Sequence, residues 1–91
     1  MAIGRDARRH EQLARVQAQL PGQVGTVVQV LDLLDFAWHD CYGEAAPPDS
    51  VIDDLFVTAG GDLPSLIETA HLAVIDWRDL RVRADKARRR D

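Results

Sequence analysis

The sequence predicts an all-α fold, a compact four-helix array with a long C-terminal helix. Three observations carry this. Apolar residues recur at helical spacing in four stretches, Gly and Pro fall between those stretches, and no segment that could be a strand has a second strand to pair with. The helices are expected at about residues 5–20, 23–42, 50–59 and 63–88.

In the first, Leu13, Val16 and Leu20 share a face among Arg and Gln, and Pro21-Gly22 ends the run. In the second, Val24, Val27, Val28, Leu31, Leu34, Trp38 and Cys41 make one stripe, which Val30, Leu33, Phe36 and Ala37 widen. Its β-branched opening also suits a strand over residues 24–31; helix is preferred because the stripe runs unbroken to Trp38. Gly43 suits the position just past a helix end. After the stiff Pro47-Pro48 loop, Asp49 or Ser50 is expected to cap the third helix, with Ser50 and Asp53 spaced as a capping box. Val51, Ile52, Leu55 and Phe56 give that helix its apolar face, and Gly60-Gly61 stops it. Asp62 is the expected cap of the fourth helix, with Pro64 in its first turn. Leu66, Ala70, Ala73, Val74, Trp77, Leu80 and Ala84 form its main stripe, while Leu72, Ile75 and Val82 lie on another side. Between Leu63 and Trp77 it is apolar nearly all round, which predicts a central position or a second, intermolecular contact.

A chain of 91 residues has room for a single helical domain, 1–91, with residues 1–8 and 89–91 expected to fray. Apolar content of 46% and charged content of 29% are those of a globular protein. The single cysteine, Cys41, excludes an intramolecular disulfide and fits a reducing compartment. The charged N-terminus has no apolar core behind it, and no apolar run approaches the roughly 18–20 residues of a membrane span, so the expected location is cytoplasmic, with no membrane contact.

Charge is segregated along the chain. Residues 16–77 hold ten acidic residues and no Lys or Arg, whereas residues 1–15 carry a net +2 and residues 78–91 a net +4. An acidic middle between basic ends predicts either a docking surface for a basic partner or contact between tail and middle, within one subunit or between two. Asp32, Asp35, Asp40, Asp54 and Asp76 fall within helices and are expected to face solvent.

Four constellations could carry function. Asp35 with His39 (i, i+4) and Glu68 with His71 (i, i+3) would offer a metal two carboxylates and two imidazoles, although a di-iron bundle site needs further glutamates. A Cys–His enzyme would need Cys41 to meet His71, and a cysteine ending an apolar stripe is more often a buried small hydrophobe. Arg81, Arg83, Lys86 and Arg88 could contact nucleic-acid phosphates, but they also suit the helix C-terminus and i, i+4 pairing with Asp79 and Asp85. Trp38, Tyr42, Asp53, Asp54, Leu72, Ile75 and Trp77 are the candidate contacts for a protein partner. No motif implies a cofactor, and Gly60-Gly61 is followed at once by Asp62, which would repel a phosphate.

The strings Ala37-Trp38-His39-Asp40-Cys41-Tyr42-Gly43-Glu44 and Ala73-Val74-Ile75-Asp76-Trp77-Arg78-Asp79-Leu80-Arg81 resemble those of small all-α actinobacterial proteins with no known activity. Asp62-Leu63-Pro64-Ser65, followed by Trp77-Arg78, is also similar to the end of the pattern in acidic four-helix immunity proteins that block nuclease toxins, although the paired tyrosines of their toxin-binding helix are absent here. That second resemblance implies a basic protein as partner. The function expected from the whole sequence is a non-enzymatic, helical protein–protein interaction or regulatory module, immunity- or inhibitor-like toward a basic partner and homodimeric through the C-terminal helix. A small metal-binding or Cys/His enzyme and a nucleic-acid binder are the alternatives.

Overall fold

Hydrophobic periodicity becomes four α-helices: α1 (Ala2–Gln19), α2 (Val24–Tyr42), α3 (Asp49–Ala59) and α4 (Leu63–Arg90). The computed structural model describes the backbone of residues 2–90 and the side chains of residues 7–89. Among these residues there is no strand. The expected fraying at 1–8 and 89–91 falls partly outside the described residues; α1 is helical from Ala2 and α4 as far as Arg90. Residues 24–31 are helical, with Val27 and Leu31 fully buried on the inner face of α2.

Two helices end on glycine in the left-handed region. Gly43 (φ 74°) donates its N–H to His39 O at 2.8 Å, and Gly60 (φ 60°) donates to Phe56 O at 3.2 Å. A side chain at either φ would meet its own backbone. At the start of α3 the expected capping box is absent. Pro48 occupies the cap position, and its carbonyl accepts the N–H groups of Val51 (3.0 Å) and Ile52 (3.2 Å). Asp53 is drawn away because its carboxylate is held by Arg15 and Arg88. Asp62 does cap α4, accepting the Ser65 N–H at 3.0 Å.

α4 is interrupted at Asp76, whose φ −157° and ψ 87° are extended. The carboxylate of Asp76 accepts the N–H groups of Arg78 (3.1 Å) and Asp79 (3.2 Å), so it caps the distal half. An unbroken helix would have given the Arg78 N–H to Val74 O. That carbonyl is instead taken by the Tyr42 hydroxyl of α2, at 2.8 Å. Both halves of the break are thus satisfied, one locally and one by a neighbouring helix.

α1 packs on α2, α2 on α4, and α4 most extensively on α3. The core draws on every helix: Val16 from α1, with Leu20 just beyond its end; Leu31, Leu34 and Trp38 from α2; Leu55 and Phe56 from α3; Leu66, Ala73 and Leu80 from α4. The Trp38 ring lies 4.3 Å from that of Tyr42, and its indole N–H donates to Glu44 at 3.0 Å. The radius of gyration is 12.4 Å, close to the ~12 Å of a compact chain of this length. No described helix is long and apolar enough to cross a membrane.

Three expectations about burial are corrected. Leu33 and Phe36, read as widening the core stripe, are exposed, because no helix packs on that side of α2. Cys41, read as buried, is also exposed. Asp35 and Asp54, read as solvated, are buried, because each meets arginines from another helix.

Asp76→Ala should lower unfolding free energy by about 1 kcal/mol, the usual cost of a lost cap, and Tyr42→Phe by a similar ~1 kcal/mol for its one hydrogen bond. Urea titrations would show each as a lower midpoint at unchanged slope; unchanged midpoints would contradict the account of the break.

Candidate interaction surface

Five of the ten acids of the middle, Asp32, Asp35, Asp49, Asp53 and Asp54, are ion-paired within the chain. α3 is the centre of this pairing. Asp54, with its side chain only 2% exposed, accepts Arg81 Nε at 2.6 Å and Arg88 Nη2 at 2.8 Å. Arg81 and Arg88 are seven residues apart, two helical turns, so they share one face of α4. Asp53, beside Asp54, is held by Arg88 and by Arg15 of α1, whose guanidinium also lies 5.1 Å from the Phe56 ring centre. Arg9 of α1 binds Asp32 (2.9 Å) and the buried Asp35 (2.7 Å) of α2. Arg8 lies 3.5 Å from Asp49. The two basic ends therefore fold onto the acidic centre of their own chain.

These pairs are unequal. Removing either arginine would leave one oxygen of the buried Asp54 carboxylate without its cation, whereas removing Asp54 would leave two partly exposed arginines able to reach water. The more exposed pairs, such as Arg8–Asp49 and Arg83–Asp79, contribute little. The Arg15 guanidinium, with Arg88, holds the Asp53 carboxyl below the usual carboxylate range despite partial burial. Hydrogen bonds from Ser65 lower that of Asp62. Arg88 is held above its ordinary value by Asp54 and Asp53, so it stays charged throughout.

The candidate contacts for a protein partner are scattered by the fold. Trp38 is core, Asp53 and Asp54 hold the chain's own arginines, Leu72 is half-buried, and Trp77 is half-buried under the Arg78 guanidinium. Tyr42 is 40% exposed and braces α4, while Ile75 is 64% exposed. The metal candidates are not gathered. Asp35 faces Arg9, His39 and Glu68 are exposed, and His71 lines a different groove, so no three potential ligands cluster among the described residues. In the basic segment Arg81, Arg83 and Arg88 are ion-paired, while Lys86 is exposed.

Part of what remains outward is apolar. α2 and α4 form an open groove of about 310 Å³ lined by Val30, Leu33, Ala37, Ala70, His71 and Val74, with almost wholly apolar walls. Leu33 (68% exposed), Phe36 (66%) and Ile67 (49%) extend the apolar surface along the two helices. A surface of this kind can bind another apolar surface. Sequence reasoning assigned Leu33 and Phe36 to the core, and only the apolar excess of residues 63–77 signalled a second contact. No family model matches the chain, and no curated protein or solved structure matches it.

Because the Asp53 pKa is depressed on folding, its contribution is complete above the unfolded value of about 3.9 and is lost as pH falls through the lower folded value. Urea titrations at about pH 5 and about pH 3 should show a smaller acid loss of stability in Asp53→Asn than in the wild type. Equal losses would contradict the pairing.

Proposed function

We propose that this chain is a non-enzymatic helical protein–protein interaction module that binds through the exposed apolar face of α2 and α4. The observation that carries it is the joint exposure of Leu33, Phe36 and Ile67 on the two helices that form an apolar groove. The inhibitor-like role toward a basic partner that residues 62–65 and 77–78 suggested by resemblance fits this reading. The contact then lies on α2 and α4, since Asp53 and Asp54 already hold arginines of the chain itself. We place the protein's work in the cytoplasm, a reducing setting that suits the exposed thiol of Cys41. A second reading, a homodimer through the C-terminal helix, is favoured by the exposure of Ile75 (64%) and Val82 (61%).

A photocrosslinking side chain at Phe36 or Ile67, in cells making the protein, should give a discrete adduct, and one at Gln17 on the exposed side of α1 should not. An adduct of twice the chain mass from position 75 or 82 would support the homodimer. Adducts from position 17 alone would overturn the assignment of the face.

A further inference from the structure

We propose that the α2/α4 groove receives an amphipathic helix of a partner protein, one whose apolar stripe is flanked by Lys or Arg. This rests on the reading of the chain as an interaction module and names its partner by chemistry. Two observations select that occupant.

The first is shape. The groove is a seam between two helices, with walls that are almost wholly apolar. Such a seam accepts the i, i+3/i+4, i+7 stripe of a third helix; Leu33 lines it, and the exposed Phe36 of α2 and Ile67 of α4 add apolar surface on the same two helices.

The second is charge. Asp40 lies on α2 seven residues beyond Leu33 and on the same side, and Glu68 lies on α4 beside Ile67; both are exposed. Neither makes an ion pair among the described residues, whereas Asp32, Asp35, Asp49, Asp53, Asp54, Asp79 and Asp85 all do. Neither wall carries a Lys or Arg before Arg78, whose guanidinium lies over Trp77. The groove therefore has a negative rim to which, among the described residues, no Lys or Arg is paired, and flanking cations would complement it. A second copy fits less well. Two-fold pairing through this groove would set the acidic rim against itself.

The test is isothermal titration calorimetry with three synthetic helical peptides of about five turns. One has a leucine stripe flanked by Lys, one the same stripe flanked by Glu, and one Lys flanks with the leucines scrambled. The Lys-flanked peptide should bind saturably, one per chain, with the Glu-flanked peptide at least ~tenfold weaker and the scrambled one not bound. Asp40→Lys with Glu68→Lys should reverse the order of the two striped peptides. Leu33→Ser with Phe36→Ser should abolish binding of both while the thermal melt stays unchanged, because both side chains are exposed.

Equal binding of the Lys- and Glu-flanked peptides would overturn the basic partner and leave the interaction module standing. So would concentration-dependent dimerisation, seen by light scattering, that Leu33→Ser with Phe36→Ser disrupts, since the occupant would then be a second copy. Binding that survives those two substitutions would overturn the groove as the site. No binding by any peptide, with no adduct from position 36 or 67, would overturn both readings.

Discussion

A buried carboxylate must be paired, and that constraint on Asp54 organises this molecule. Its side chain is only 2% exposed, among the apolar residues of a helix that is itself mostly core. An unpaired charge there would cost several kcal/mol, on the order of the penalty for any isolated buried ion. α3 can therefore settle only where α4 presents Arg81 and Arg88 on one face. Such pairs are known more for fixing register than for net stability, and here the register is that of α3 on α4. Asp53 then extends the same cluster to Arg15, which ties α1 to α3, and Arg9 ties α1 to α2.

This arrangement determines what is left for a partner. The acidic middle and the basic ends, which look in the sequence like opposed docking surfaces, meet each other through five of the middle's ten acids. Among what remains exposed is the apolar groove between α2 and α4, with Asp40 and Glu68 beside it, neither of them in an ion pair among the described residues. The break at Asp76 lies at the far end of the groove's α4 wall. Tyr42 reaches from α2 to the freed Val74 carbonyl, so the two walls are joined by a hydrogen bond where the ladder opens.

The parts legible in the sequence were those governed by local rules. Apolar spacing placed all four helices, glycine marked the ends of α2 and α3, and Asp62 marked the start of α4. Failures arose where a distant residue decided the outcome. Asp53 had the spacing of a capping partner, but Arg15 and Arg88, from 38 and 35 residues away, took its carboxylate. Asp76 inside an apolar helix reads as a solvated residue, because the break also depends on Tyr42, 32 positions from Val74. The charge segregation was visible, but the pairings were not, since they join residues 23 to 41 positions apart. The exposure of Leu33 and Phe36 was hidden for a different reason. A broad apolar stripe shows how much surface could be buried, and a four-helix chain has too few neighbours to cover all of it.

The central claim, that Asp54 and Arg88 hold α3 to α4, is tested most directly by a double-mutant cycle of Asp54→Ala and Arg88→Ala, read as unfolding free energy in urea. A coupling of about 1–3 kcal/mol that falls only slightly in high salt is the result expected of a partly buried, charge-assisted pair. A coupling within about 0.3 kcal/mol of zero would contradict it.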